Sequence, residues 1–279
     1  MGKENEIMLF QQENSVEIYE AQERASIDIQ VSTAKKYPRN LRRMNDNCIA
    51  IVCMNKETAE SCRYSKPIGN NKTTSGASVH LARILAQQYG NIRIQQRIKD
   101  IGERNIVAEA IAFDLETNYA ISVEARRCII DKHGNRYSDA IIETNAMAVM
   151  AIAERNAILK IIPKSITDNV YNEAFKYSIG DLSDSSKLII ARDKWIKRFK
   201  NEYNATEDEV IFCLGLKTKE AIKAEDIATL SGFYNSLKEK EITVEELFKR
   251  AVDRKIESEI IQQNEPEQPK TPEQKSFQM

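Results

Sequence analysis

Three runs of alternating residues, followed by one long run without glycine or proline, constrain this chain more than anything else in it. In NIRIQQRIK (91–99), Ile92, Ile94 and Ile98 face one way and Arg93, Gln95, Arg97 and Lys99 the other, the two-residue period of a half-buried strand. RNIVAEAIAFD (104–114) and NYAISVEARRCII (118–130) continue the pattern. DLETN turns between them, and DKHGN (131–135) follows the third run. Connections this short require antiparallel neighbours, hence a β-meander. DAIIETNAMAVMAIAERNAILKIIP (139–163) is alanine-rich and has no breaker before Pro163, which predicts one long helix. Ile142, Ala146, Val149, Ala153 and Ala157 keep a 3–4 spacing. Met147, Met150 and Ile152 widen the stripe, so most of the helix is expected to be buried over the sheet. The expected class is therefore α+β, a β-β-β-α core.

On either side of this unit the signals are helical. The first 14 residues read as loose and polar, and SVEIYEAQERASIDIQVSTAKKYP (15–38) as one helix or two, closed by Pro38. CIAIVCM (48–54) is too short for periodicity to decide. KPIGNNKTTSGAS (66–78) reads as a loop, and Ser75 or Ser78 as the cap of a helix that Gly90 ends. After Pro163 a further helix runs toward a linker at 178–186. Residues 187–260 read as a small helical domain holding the only tryptophan, Trp195, with capping boxes at TEDE (206–209) and TVEE (243–246). The tail, 261–279, is proline-rich and apolar-poor, a disordered composition.

Charge is segregated. Residues 1–31 hold two basic and seven acidic side chains, 32–165 hold 21 and 13, and 166–279 hold 18 and 22, within a net charge of −1. A basic middle between acidic ends suggests a polyanion-binding body, although a soluble enzyme can share that imbalance. The basic residues are grouped: Lys35-Lys36, Arg39, Arg42-Arg43, Lys66, Lys72, Arg93/Arg97/Lys99, Arg126-Arg127, and Arg155 with Lys160 and Lys164. The leading candidates for phosphate contact are Arg93, Arg97, Arg126, Arg127, Arg155 and Lys160, with Lys35, Lys36 and Arg39 behind them. Arg126 and Arg127 point to opposite faces of their strand, so only one can join a shared groove. The alternative role for Arg93 or Arg97 is an ion pair with Glu109 or Glu124 on a neighbouring strand. Tyr37 and Tyr64 stand beside cations, where an aromatic ring can stack on a base or simply pack.

Other chemistries lack their residues. There is no GxxxxGK[ST] and no GxGxxG, which argues against an ATP-driven recombinase or helicase. Two histidines and no HExxH lower the odds of metal hydrolysis, and no catalytic residue, metal or cofactor is expected. Asp114 and Glu116 read as ordinary turn acids, Cys128 as core packing, and His80 as a surface or packing residue. The five cysteines include no CxxC and fit reduced thiols. No run of about 18 apolar residues is present, so no membrane span is expected. The opening MGKENEIMLFQQENS lacks a signal-peptide pattern, which points to an intracellular protein.

Five segments carry a resemblance. DIQVSTAKKYPRNL (28–41), AESCRYSKP (59–67), SGASVHLARILAQQYGNIRI (75–94), EARRCIIDKHGNRYSDAIIETNAMAVMAIAERNAILKIIPK (124–164) and LGLKTKEAIKAEDIATLSGFYNSLKEKEITVEELF (214–248) are similar to phage single-strand annealing proteins of the RecT/Redβ/ERF-like group. The resemblance implies a sheet-and-long-helix core related to the eukaryotic Rad-type annealing protein, in the cytoplasm of a bacterial host. It implies homo-oligomeric rings or helical filaments on single-stranded DNA and on the annealed duplex, with ATP-independent pairing of complementary strands. The annealing core would occupy 15–177. The helical unit 187–260 would be an accessory domain, with a phage exonuclease or host single-strand-binding protein as possible partners. The competing readings are a non-annealing nucleic-acid-binding repair or regulatory protein and, further off, a nuclease subunit.

Overall fold

The protein is α+β and mostly helical, with two small antiparallel sheets. The computed structural model describes residues 2–69, 72–131, 133–180 and 185–248. The expected tail falls outside them, as do residues 181–184 of the expected linker. The described residues include no helix long and apolar enough to cross a membrane.

The first helix, α1 (Gly2–Lys36), is longer than the sequence suggested, because its helical backbone includes the polar opening residues. After Pro38 come α2 (Leu41–Val52) and the short α3 (Lys56–Ser61). CIAIVCM thus begins in a helix, and Met44, Cys48 and Val52 bury one side of it. The glycine- and threonine-rich stretch is not a loop but a hairpin of β1 (Arg63–Gly69) and β2 (Lys72–Ala77). Its polar residues show no clear alternation, which hid it. The strands approach closely at Gly76, where a Cβ would lie 3.0 Å from the Tyr64 ring on the paired strand. Helix α4 (Val79–Tyr89) starts at Ser78, whose Oγ accepts from the Leu81 N–H at 3.2 Å, and ends at Gly90.

The three alternating runs form β3 (Ile92–Ile101), β4 (Asn105–Asp114) and β5 (Tyr119–Cys128) in the order β3-β4-β5, all antiparallel. Helix α5 (Asp139–Ile161) packs across their inner face. The fit depends on small residues. Ala108, Ala110 and Ala112 of β4 and Ala153 and Ala157 of α5 are fully buried, which lets the helix backbone approach the sheet closely. Three residues run against the expected pattern on α5: Met147 is exposed, whereas the polar Asn145 and Arg155 are buried. Cys128 is also exposed, because β5 directs its even-numbered positions outward. Burial pushes the Cys48 and Cys62 thiols up to about 11 and about 12, so both are unreactive at neutral pH.

Helix α6 (Lys164–Ile179) ends at Gly180. Beyond it, α7 (Ser185–Tyr203), α8 (Glu207–Cys213), a 3-10 turn (Lys219–Ala221) and α9 (Ala224–Lys238) enclose a second apolar cluster around Trp195, Phe199, Leu230, Phe233 and Leu247. Thr206 and Glu209 form the reciprocal capping box that TEDE suggested, and Thr243 and Glu246 exchange the same pair of bonds. This helical unit lies against the hairpin. Asn235 donates to the Glu60 and Arg63 carbonyls at 2.6 and 2.7 Å, and the Ser236 hydroxyl donates to the Ser65 carbonyl at 2.7 Å. Side chains of α9 thereby satisfy backbone groups that β1 turns away from β2.

Candidate nucleic-acid interface

The corner between α1 and α2 is built around Arg39. Pro38 cannot extend the first helix, and Asn40 starts the second by accepting the Arg43 N–H at 2.9 Å. Arg39, between them, turns inward, its side chain only 8% exposed. Nη1 donates to Asp114 Oδ2 at 2.9 Å, Nη2 donates to Asp114 Oδ1, and Nε donates to Glu116 Oε1 at 2.9 Å. The Arg39 backbone N–H also donates to Glu116 Oε1, at 2.8 Å. The guanidinium carbon lies 3.7 Å from the centre of the Tyr89 ring, a stacked cation–π contact. Gly90 and Asn91 both take left-handed backbone angles, which aims Asn91 Nδ2 at the Tyr37 carbonyl, 2.9 Å away.

This network fixes the charge state of the two turn acids. Burial alone would raise the Asp114 carboxyl. Hydrogen bonds from Arg39, the Glu116 N–H and Thr117 outweigh burial and hold the group below the ordinary aspartate range. Burial likewise would raise the Glu116 carboxyl, and hydrogen bonds from Asn91 and Arg39 together outweigh it and hold the group below the ordinary glutamate range. Arg39 is kept charged in the same way: its burial is outweighed by Asp114 and Glu116. These residues are therefore an anchor. Arg39 is withdrawn from the set of phosphate contacts, and the pair of turn acids has an internal partner.

What the anchor presents is cationic. Lys35, Lys36, Arg42 and Arg43 are exposed, and Tyr37 beside them is 64% exposed. Lys36 Nζ lies 5.5 Å from the centre of the Tyr37 ring. Among the described residues no carboxylate pairs with any of these four cations. Lys35 and Lys36 suit the C-terminal end of α1. Arg42 and Arg43 occupy the first turn of α2, which holds no acidic residue. Cations there oppose the helix dipole, and a bound anion would relieve that opposition.

The remaining sequence candidates divide. Arg126 and Lys160 are exposed, with no ion pair among the described residues. Arg97 and Lys99 lie on the outer sheet face as expected, but each is paired across the sheet, Arg97 with Glu109 at 2.8 Å and Lys99 with Glu124. Arg93 pairs with Glu23 and donates to Gln30 Oε1 at 3.2 Å, which ties α1 to β3. Arg155 is buried, donating from Nη1 to Glu241 at 2.7 and 2.9 Å with its guanidinium 4.2 Å from the Tyr64 ring centre. Tyr64 thus stacks on Arg155. Arg127, on the helix-facing side of β5, donates to the Glu241 carbonyl at 3.3 Å. Burial draws its guanidinium down, against Glu246 and Glu241. His80 shares a hydrogen bond with Glu239 Oε1 at 2.9 Å. The sheet face, Arg155 and Arg127 therefore do not form one open groove with the α1–α2 corner. Arg42 and Arg43 stand among the basic groups of the sequence but not among its candidate phosphate contacts. The signal that marks them is a pair of arginines just after an N-cap asparagine, with no acid in that turn.

The described residues include no group of three or more His, Cys, Asp or Glu side chains arranged to hold a metal ion. No protein-family model matches the chain, and no curated protein or solved structure gives a significant match.

Proposed function

We propose that this protein binds single-stranded DNA at the α1–α2 corner and promotes ATP-independent annealing of complementary strands, as an assembly of several copies. The observation that carries the reading is the exposed ring of Tyr37, flanked by Lys35, Lys36, Arg42 and Arg43 on a corner braced from below by Arg39. An aromatic ring among unpaired cations is the element a sequence-tolerant single-strand binder needs: the cations hold phosphates and the ring stacks any base. Contacts of that kind leave base edges free to pair, so specificity comes from the complementary strand. In this reading the three-stranded sheet under α5 is the annealing core, and the helical unit beyond Gly180 is the accessory part.

The assembly is supported by what the fold leaves uncovered. Strands β3 and β5 each have one neighbour within their sheet, and unpaired edges favour pairing with another copy. Ile18 and Ile29 on α1, and Ile141 and Met147 on α5, are also exposed. Two complementary labelled oligonucleotides mixed with the protein, without nucleotide, test the function. Faster pairing than without protein supports annealing. Binding without acceleration supports a non-annealing DNA-binding protein, and metal-dependent shortening of the strands supports a nuclease. Light scattering with DNA present tests the assembly: large closed or helical particles are expected, and a monomer with and without DNA contradicts it.

A further inference from the structure

We infer that the helical unit is a gate, and that its Glu239 and Glu241 occupy a second single-strand site on the core in place of phosphates. The inference rests on the DNA reading above. Beneath the segment after α9, the core contributes two guanidiniums, an imidazole and an aromatic ring: Arg155, Arg127, His80 and Tyr64. Glu241 supplies both carboxylate oxygens to Arg155, with both side chains about 5% exposed, and its carbonyl accepts from Arg127. Glu239 takes His80. Glu239 and Glu241, two positions apart, thus meet His80 of α4 and Arg155 of α5, and the Glu241 carbonyl meets Arg127 of β5. A guanidinium donates to carboxylate and phosphate oxygens alike. Arg155 already lies on the Tyr64 ring, so release of Glu241 would uncover a cation beside an aromatic face, the same pairing found at the α1–α2 corner.

The contact is built to come apart. The apolar cluster of the helical unit and that of the core share no member, so each keeps its own interior on separation. The side of α9 that meets β1 includes Ser231, Gly232, Asn235 and Ser236, and those with side chains hold carbonyls of helix α3 and strand β1 by hydrogen bonds. Polar interfaces between units of one chain are the kind that permit relative motion. A bare lysine would give an anion only a point charge. Here Arg127 donates to a single carbonyl at 3.3 Å, and its other N–H groups remain for a phosphate oxygen.

Gly232 supplies the test. A Cβ there would lie 2.1 Å from Ser65 Oγ and 2.8 Å from Ser65 Cβ. The variant Gly232→Ala places a methyl group in that space. Because the Ser65 backbone nitrogen is also only 2.9 Å away, rotation of the serine hydroxyl cannot make room, and the variant wedges α9 from β1. Binding of a fluorescent oligothymidylate by the full chain, followed by anisotropy over a range of salt, reads the gate. The wedged variant is expected to bind about tenfold tighter than the unmodified protein, with a log–log salt slope steeper by about 1.4 for the two arginines gained. Equal affinity and slope in the two proteins, with the variant folded by circular dichroism, overturns the gate and leaves the corner site standing. Absence of binding by both overturns the DNA reading and the gate together. Should the wedged form fail to fold, Glu239→Gln decides. Its carboxylate is 25% exposed, and loss of its charge is expected to tighten binding about threefold, whereas unchanged binding overturns the gate.

Discussion

Arg39 and Asp114, 75 positions apart in sequence, share two hydrogen bonds from one guanidinium to one carboxylate, with both side chains less than a tenth exposed. That pair joins the corner after α1 to the end of β4. It makes the exposed aromatic-and-cation cluster of the corner a braced feature of the fold.

Arg39→Ala leaves Asp114 buried and without its counter-charge. Removal of one partner of a buried pair costs about 3–5 kcal/mol. Urea unfolding of this variant should show a loss in that range. Hydrogen exchange at residues 37–40 and 114–116 should rise more than in the core under α5. A loss below about 1 kcal/mol would mean that the corner is held by something else.

The same pair sets a response to acid. Asp114 and Glu116 have carboxyls below their ordinary range in the folded protein. Their contribution is therefore complete above the unfolded values near 4, and is lost as the pH falls through the lower folded values. Stability should not change through these groups between pH 7 and 5, and should fall below about pH 4. Asp114→Asn, already less stable at neutral pH, should show a shallower fall over that acid window. An equally steep fall in the variant would assign the acid sensitivity to other carboxylates.

How much of this was legible in the sequence depends on how local the cause was. The period of two in 92–130 and the absence of breakers in 139–162 are backbone signals, and the strands and α5 stand where those patterns lie. Ser78, Gly90, Thr206 and Thr243 were readable because caps act within four residues. The hairpin at 63–77 was not. Its strands pair through the backbone with no alternation of apolar and polar side chains, and one edge is satisfied by Asn235 and Ser236, which no local pattern reveals. The candidate site was legible by composition and not by role. Sequence grouped the arginines, but which one meets a carboxylate depends on contacts over long separations: 63 positions from Arg93 to Gln30, 75 from Arg39 to Asp114 and 86 from Arg155 to Glu241.

The two sheet arginines should separate in function. Arg97 forms a surface pair with Glu109 and is itself 71% exposed. Arg97→Ala is expected to leave DNA affinity within about twofold and stability within about 0.5 kcal/mol. Arg93 holds α1 through Glu23 and Gln30 with a side chain 18% exposed. Arg93→Ala should cost about 1–3 kcal/mol and loosen α1, as increased exchange around residues 23–30. A drop in salt slope with Arg97→Ala would return the sheet face to the DNA site.

The corner claim is tested most directly by the salt dependence of single-strand binding. Lys35, Lys36, Arg42 and Arg43 replaced together by alanine remove four candidate phosphate contacts while keeping Arg39, Asp114 and Glu116. At about 0.7 counterion per contact on single strands, the log–log slope should flatten by about 2.8, equally for every DNA sequence, and ATP-free annealing should fall with it. A folded variant that keeps the slope and affinity of the unmodified protein would contradict the account, and would place the DNA elsewhere on the molecule.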